Sequence, residues 1–371
     1  MPDRIPFFAD HVGSFARPAE LIQAYWDHED GKIDDATFRS IQDRNIGKII
    51  DLQERAGLRS ITDGEFRRVF WARNLSDAVD GLEFKPGPFT FRNDQGLTSP
   101  LIACTTSKKL KKSRSIAVDD FIWLKARTKQ TPKVTLPTPS FFHFGFGDKG
   151  ISQDVYPDVG QFFFDMINIY RDEITELGKQ GCTYVQLDEV PLALLCDSEN
   201  QQVVRQLGDD PQRLIDLYVD LVAQIAKNRP KGMTMCLHLC RGNRSGLWAG
   251  AGGYEPIAER LFNKIDVDGY FLEYDNSRAG DFSPLRHVPK GKAAILGLVS
   301  TKSTALEDPN QIRSRINEAT RYLPLDQLGI SPQCGFGSSA SRYNPTQNPM
   351  TPEITEKKLR LLVDIAADVW R

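Results

Sequence analysis

The residues from 233 to 243 alternate between two kinds of side chain: Met233-Thr234-Met235-Cys236-Leu237-His238-Leu239-Cys240-Arg241-Gly242-Asn243. A period of two is typical of a β-strand, in which successive side chains point to opposite faces. This period places His238 and Cys240 on one face and the leucines on the other. We therefore predict a strand whose carboxyl end brings an imidazole and a thiol to the same place.

Short apolar runs of this kind recur along the chain and alternate with stretches of helical period, which is the pattern of repeated βα units and a parallel sheet. The predicted strands lie at residues 6–12, 59–63, 132–136, 183–188, 233–239, 268–273, 294–299 and 329–333. The predicted helices lie at residues 36–57, 160–180, 211–228, 254–264, 308–321 and 352–370. Eight strands with helices between them predict an α/β fold, a single (β/α)8 TIM barrel over residues 1–371.

Residues 83–131 depart from this pattern and resemble short β pieces, so we predict a β-rich insertion between strands 2 and 3. This segment contains a basic run, Lys108-Lys109-Leu110-Lys111-Lys112-Ser113-Arg114. Such a run either contacts nucleic acid or forms a solvated hairpin. The chain has 47 basic and 49 acidic residues and a formal charge of -2, which favours the hairpin and argues against nucleic acid or anionic lipid as a partner.

The composition also limits the class of protein. Forty per cent hydrophobic and 26% charged residues are typical of a globular protein with a large core. The apolar run at 293–299 is too short to cross a bilayer, and no signal peptide is evident at the amino terminus, so we expect a cytoplasmic protein with no membrane partner. Its six cysteines are then expected to be reduced, as metal ligands, nucleophiles or packed core residues.

Two further ligand-type side chains are predicted at the same rim as His238 and Cys240. Glu273 ends the sixth predicted strand and Cys334 follows the eighth, and barrel enzymes collect their reacting groups at the carboxyl ends of strands. Two thiolates, an imidazole and a carboxylate suit Zn²⁺ better than Mg²⁺ or Ca²⁺. We therefore predict a zinc site. The alternative is that the His-X-Cys pair is ordinary core packing, as we expect for Cys236.

A zinc ion with four protein ligands is usually structural, so catalysis requires one ligand to leave. The carboxylate of Glu273 is the hardest ligand of the four in the hard–soft sense. We therefore expect its bond to zinc to be the one that weakens. A substrate thiol that took its place would be deprotonated at neutral pH and become a nucleophile.

Three further motifs complete a resemblance to a known family. They are His11-Val12-Gly13-Ser14-Phe15-Ala16-Arg17-Pro18, Thr62-Asp63-Gly64-Glu65 and Gln186-Leu187-Asp188-Glu189. With the four ligand-type positions, they resemble the catalytic half of cobalamin-independent methionine synthase, and more closely its short stand-alone relatives. In that family the matching His, Cys, Glu and Cys bind zinc.

The resemblance also implies roles for substrate-binding residues. The amides of Gly13 and Ser14 would receive the carboxylate of an amino-acid thiol such as homocysteine, and Glu65 and Asp188 would receive its ammonium group. The alternatives are an ion pair of Glu65 with the neighbouring arginines and a helix-capping or salt-bridge role for the carboxylates at 188 and 189.

The chain departs from the family in two places. Where the full-length synthases have an aspartate and a histidine after strand seven, this chain has Gly297-Leu298-Val299-Ser300-Thr301-Lys302. Lys302 is a candidate proton donor if burial lowers its pKa, or a site for an anionic group. No tryptophan is evident in residues 137–143, where phenylalanines could stack instead, and His143 is either a packing residue or a site residue.

We therefore expect a zinc-dependent methyltransferase in which Lys302 and Asp188 act catalytically. Its acceptor would be a homocysteine-like thiol, its methyl donor a methyltetrahydrofolate or a simpler compound, and its product methionine. The alternatives are a zinc-dependent epoxide:thiol transferase of the coenzyme M type, a non-catalytic zinc-binding barrel, and a metal-free barrel resembling uroporphyrinogen decarboxylase. A homodimer is left open.

Overall fold

The computed structural model describes residues 4–337, 339–342 and 348–371. Its strands are β1 (Ser60–Ile61), β2 (Val79–Arg92), β3 (Thr98–Lys112), β4 (Thr131–Pro132), β5 (Val134–Pro137), β6 (Tyr184–Glu189), β7 (Thr234–Leu239), β8 (Gly269–Glu273), β9 (Ala293–Val299) and β10 (Leu328–Pro332). Its α-helices are α1 (Ala19–Glu29), α2 (Asp35–Arg55), α3 (Arg73–Ala78), α4 (Val118–Lys125), α5 (Phe141–Phe144), α6 (Val159–Lys179), α7 (Pro191–Leu194), α8 (Ser198–Gln206), α9 (Pro211–Ala226), α10 (Glu255–Lys264), α11 (Pro309–Ala319) and α12 (Pro352–Val369).

A six-stranded parallel sheet forms the centre of the fold, in the order β10-β9-β8-β7-β6-β5. β1 pairs in parallel with β4, and a single residue separates β4 from β5. Ala9 forms a parallel bridge with Ile330 of β10. Long helices follow most of the central strands, as βα units require. The α/β class with a parallel sheet is confirmed, and closure into an eight-stranded TIM barrel stays a prediction.

The two faces of the sheet bury different side chains. One face encloses a small cluster that consists of Tyr184, Cys236, Phe271, Ala293 and Ile295. The alternate residues of the same strands, such as Leu237 and Leu272, belong to the large core that includes the helices. This period of two is the pattern expected of strands that are buried on both faces. It places His238, which pairs with Phe271, on the face of the small cluster.

Aspartate side chains cap the amino termini of several helices. Asp210 and Asp308 each accept a hydrogen bond from a backbone amide in the first turn of α9 and α11, and a proline follows each of them. The six helices predicted from sequence correspond to α2, α6, α9, α10, α11 and α12, with ends that differ by no more than two residues. Among the helices in the described part of the chain, none has the length and apolar character needed to cross a bilayer.

The first predicted strand, 6–12, is much shorter in the structure, where the amide of Asp10 donates to the carbonyl of Ile330 at 3.1 Å and the amide of Ile330 donates to the carbonyl of Phe8 at 2.7 Å. Apart from the bridge at Ala9, this segment is irregular, because the carboxylate of Asp10 accepts hydrogen bonds from the amides of Phe7 and His11 at 3.3 and 2.7 Å. Amides bound to a side chain are not available to a neighbouring strand.

The segment after β1 contains an antiparallel ribbon formed by β2 and β3 and then the helix α4. The basic run lies at the end of β3, where Lys109 pairs with Asp165 at 3.1 Å and Lys112 pairs with Glu173 at 2.6 Å. These lysines therefore form ion pairs with α6. That residues 83–131 are an insertion in a single domain stays a prediction.

Candidate metal centre

The strand register brings ligand-type residues to one end of the sheet. Leu239 of β7 pairs with Leu272 of β8, so the residues that follow them, Cys240 and Glu273, lie at the same level. β10 ends at Pro332, and Cys334 follows two residues later. All these positions lie at the carboxyl ends of parallel strands.

Three of the four predicted ligands come together. The ligand atoms of His238, Cys240 and Cys334 lie within 4.8 Å of one another, and the two sulfur atoms are 2.9 Å apart. All three side chains are buried, and neither ring nitrogen of His238 has a hydrogen-bond partner among the described residues. Because a buried polar atom without a partner is costly, this imidazole fits a metal ligand.

The protonation states of these side chains agree with this interpretation. Burial, with a smaller contribution from the charge of Lys133, lowers the pKa of His238 to about 3, so the imidazole is neutral, as a metal ligand must be. The hydrogen bond with Cys334, together with burial, holds the pKa of Cys240 well above its ordinary value. Metal binding would therefore release a proton from this thiol.

Glu273 lies beside this cluster but outside the 4.8 Å group. Its Oε1 accepts a hydrogen bond from the backbone amide of Arg241 at 2.9 Å, and its Oε2 is 3.9 Å from Nζ of Lys302. The carboxylate is buried and is held between the loop after β7 and the loop after β9. It stays a predicted fourth ligand.

The hydroxyl of Tyr254 joins the two strands that carry these residues. It donates to the carbonyl of Leu239 at 3.0 Å and accepts from the amide of Glu273 at 2.9 Å and from Nη1 of Arg241 at 2.7 Å. All three hydrogen-bonding positions of this buried hydroxyl are therefore used. Neither Tyr254 nor Arg241 was predicted from sequence, since a tyrosine at the start of a helix and an arginine after a strand have no distinctive pattern.

A second polar network holds the loop that carries Cys334. Asn243 donates to the carbonyl of Gly335 at 2.9 Å and to the hydroxyl of Thr301 at 3.0 Å, and that hydroxyl donates to the same carbonyl. Gln333 donates to the Thr301 hydroxyl at 3.0 Å. The loops after β7, β9 and β10 are thereby cross-linked around the three-residue cluster.

Lys302 is buried, with 9% of its side chain exposed, and its Nζ has no hydrogen-bond partner among the described residues. Burial lowers the pKa of Lys302, but the charges of Glu273, Asp275 and the two cysteines outweigh it, and the net shift is upward. The nearby acidic groups therefore stabilise the ammonium form of Lys302, and its role as a proton donor stays a prediction.

The predicted binding residues for an amino acid lie near the metal cluster. Gly13 has a φ of +132°, and a Cβ atom there would lie 2.6 Å from Cγ2 of Thr135. A Cβ atom at Gly335 would lie 1.8 Å from Oγ of Ser14, so the loop carrying Cys334 is packed directly on Ser14. Both positions therefore require glycine for the close approach of the backbone.

Glu65 and Asp188 are buried carboxylates. Oε1 of Glu65 accepts a hydrogen bond from Thr135 at 2.9 Å and lies 3.5 Å from Arg68, whereas its Oε2 is buried without a partner among the described residues. Asp188 accepts from Gln186 at 2.7 Å. Burial, followed by the charge of Glu65, raises the pKa of Asp188 to about 8. Two buried carboxylates side by side, one of them with an oxygen that has no partner among the described residues, form a site that favours a cation.

The alternative roles are divided between neighbouring residues. Arg68 forms the expected ion pair with Glu65, whereas Arg67 is turned toward Asp43 and Asp120 at 2.7 and 2.9 Å. Glu189 accepts from the amide of Leu192 at the start of α7, which is a capping role. The ion-pair alternative therefore describes the contact of Glu65 with Arg68, and the capping alternative describes Glu189.

A cleft of about 1180 Å³ opens onto these groups. Its inner end includes Glu65, Asp188, His238, Cys240 and Cys334, and its wall includes Phe84 of the ribbon, Trp71 and Phe141. The rings of Trp71 and Phe141 are 4.5 Å apart. Trp71 thus supplies an aromatic surface next to the predicted phenylalanines, and sequence reasoning missed it because the residue follows β1 rather than β5.

His143 lies outside the residues that line this cleft. Its two ring nitrogens are 2.8 Å from the Tyr218 hydroxyl and 2.8 Å from the Asp148 carboxylate. Both nitrogens are therefore used in packing contacts between helices, which agrees with the packing interpretation of this residue.

Comparisons with known proteins agree on one family. The model of the cobalamin-independent synthase catalytic domain matches residues 7–366. The chain is 37% identical to YxjH of Bacillus subtilis (strain 168), over 99% of this chain and 96% of YxjH. It is 26% identical to the methionine synthase of Pyrococcus furiosus, over 88% of this chain and 85% of that one. A solved Listeria monocytogenes structure, described as a candidate vitamin-B12 independent methionine synthase, is 33% identical with a TM-score of 0.77 and 98% of each chain covered.

Proposed function

Because the chain belongs to the cobalamin-independent methionine synthase family, whose catalytic domain it matches over 7–366, we propose that it methylates homocysteine to give methionine. The observation that carries this proposal is the buried cluster of His238, Cys240 and Cys334, open to a cleft that is also lined by the buried carboxylates of Glu65 and Asp188. A ligand set of this kind next to a site for an amino group suits an amino acid that bears a thiol.

The metal that we propose is zinc, because two sulfur ligands and an imidazole favour it over Mg²⁺ and Ca²⁺. Zinc bound to these residues lowers the pKa of a substrate thiol, so that the sulfur reacts as a thiolate at neutral pH. We propose His238, Cys240 and Cys334 as permanent ligands and Glu273 as the fourth, exchangeable ligand. Support for this division comes from Glu273, which already has two other contacts, with Arg241 and Lys302.

The carboxylates at the inner end of the cleft orient the acceptor. Glu65 has an oxygen without a partner among the described residues, and burial together with the charge of Glu65 disfavours the ionised form of Asp188. An ammonium group placed between them relieves both penalties, since each carboxylate gains a charge-assisted hydrogen bond. The backbone turn at Gly13 and Ser14 then receives the carboxylate of the same amino acid. Homocysteine held at both groups has only its sulfur left to reach the metal.

The methyl donor is proposed to bind along the aromatic wall of the cleft. Trp71 and Phe141 present flat surfaces that suit a ring system such as the pterin of a methyltetrahydrofolate. A smaller methyl compound also fits the volume of the cleft. We therefore assign the donor only to the class of folate-like or simpler methyl compounds.

An anaerobic assay tests this function. Zinc-loaded protein is incubated with homocysteine and a panel of methyl donors, and methionine is measured by mass spectrometry. We expect methionine to form with at least one donor and to disappear in the Cys240→Ser and Cys334→Ser variants together with bound zinc. Cys182→Ser, a buried cysteine outside the cleft, is the control. A zinc-free protein with full activity would refute the proposal, and product formed only from epoxides would replace it with the coenzyme M type of reaction.

A further inference from the structure

The ammonium nitrogen of Lys302 is buried and has no hydrogen bond among the described residues. Its side chain is 9% exposed, and the nearest carboxylate oxygen, Oε2 of Glu273, is 3.9 Å away, beyond hydrogen-bond distance. A buried ammonium group is costly unless it is paired at close range. Among the described residues, Lys302 therefore lacks an anionic partner at hydrogen-bond distance. A small movement of Glu273 would supply one.

Glu273 has one fixed oxygen and one oxygen that can change partners. Oε1 is held by the amide of Arg241, and the amide of Glu273 itself is held by the hydroxyl of Tyr254. These bonds anchor the residue at the end of β8. The other oxygen, Oε2, lies 3.9 Å from Lys302, and rotation of the carboxylate about this anchor would bring it closer to Lys302 or move it back toward the neighbouring cluster of His238 and the two cysteines. The same oxygen is therefore shared between a predicted metal position and a buried cation.

From this arrangement, and on the basis of the proposed function, we propose that Lys302 is a positioning residue that receives the Glu273 carboxylate when a substrate thiol takes its place at the metal. In this exchange the substrate sulfur would replace the carboxylate oxygen at the metal, no group would be oxidised or reduced, and the thiol proton would pass to solvent. The carboxylate moves from one positive partner to another without ever being left unpaired in the protein interior.

Charge explains why such a partner is needed. Two thiolates and one carboxylate around a divalent ion already carry a net charge of about -1, and a substrate thiolate adds another negative charge. Inside a protein, where water screens poorly, the carboxylate and the new thiolate repel each other strongly. The ammonium of Lys302 offsets the carboxylate at the new position, so the exchange no longer places two uncompensated anions side by side.

The test compares Lys302→Met, which keeps the length of the side chain and removes its charge, with Lys302→Arg, which keeps the charge. Zinc-loaded full-length proteins are measured by zinc-edge X-ray absorption with and without homocysteine, and homocysteine affinity is measured by calorimetry. In the wild type we expect one oxygen ligand to be replaced by one sulfur. In Lys302→Met we expect the oxygen to remain and homocysteine affinity to fall about tenfold or more, with zinc content unchanged. Lys302→Arg should exchange as the wild type does.

The outcomes separate this proposal from the proposed function. If the wild type gains no sulfur from homocysteine, the proposed function and this inference both fail. If the wild type gains sulfur and Lys302→Met does so equally, with homocysteine affinity within about twofold, only the role of Lys302 is refuted. Loss of zinc from Lys302→Met in the absence of homocysteine would also overturn the proposal, because it would show that Lys302 supports the metal site itself.

Discussion

Replacing Asp188 with asparagine removes a carboxyl group whose pKa is raised to about 8 by burial and by the charge of Glu65. Asparagine has nearly the same shape, and its amide oxygen can still accept the hydrogen bond from Gln186. The substitution therefore tests the charge of this position with little change in packing.

The sign of the effect on stability follows from proton linkage. The folded protein holds a proton on Asp188 up to about pH 8, whereas the unfolded chain loses it near the ordinary value of 3.8. The folded state thus binds about one proton more than the unfolded state over this interval, and wild-type stability falls as the pH rises through it, by about 1.4 kcal/mol for each pH unit. The asparagine side chain has no such proton, so the Asp188→Asn variant should lack this slope and be more stable than the wild type near pH 8.

The effect on ligand binding has the opposite sign. An ammonium group binds to the ionised carboxylate, so wild-type affinity for an amino acid should rise about tenfold for each pH unit up to about pH 8. Methionine is the ligand to use, because it has an amino group but no thiol proton that would add its own pH dependence. The variant should bind methionine more weakly than the wild type, with a flat profile.

Calorimetry with methionine and urea denaturation, each at several values between about pH 6 and about pH 8, measure both effects. Asp94→Asn, at an exposed position in the turn between β2 and β3, is the control and should match the wild type. A wild-type affinity for methionine that does not change with pH would refute the argument. So would an Asp188→Asn variant that keeps the wild-type slope in both measurements.

Three further substitutions test other parts of the site. Tyr254→Phe removes the hydroxyl that joins β7 and β8, which should lower zinc affinity about tenfold in a chelator competition and the free energy of unfolding by about 1–3 kcal/mol in urea. Gly335→Ala should displace the Ser14 hydroxyl and raise the KM for homocysteine, with a loss of about 1–3 kcal/mol in stability. Trp71→Ala should raise the KM for the methyl donor and leave that for homocysteine unchanged in steady-state assays.

Several features of this protein were determined by contiguous residues alone. The period of two in residues 233–240 predicted a strand with His238 and Cys240 on one face, and helices such as α9 and α11 were predicted from stretches of helical period. These features depend on local backbone geometry and on burial of one face, which the order of residues encodes directly.

Other features required the folded chain, because they depend on which residues become neighbours. Cys240 and Cys334 are 94 positions apart, and only the strand register brings their sulfur atoms to 2.9 Å. The pKa of Lys302 is raised because acidic groups from other strands surround it, although burial alone predicts the opposite direction. The irregular segment at 6–12 was likewise decided by the side chain of Asp10, which binds amides that a strand would have used. Long-range pairing, charge and competition for amides are properties of three-dimensional packing, and residue order encodes them only through the complete fold.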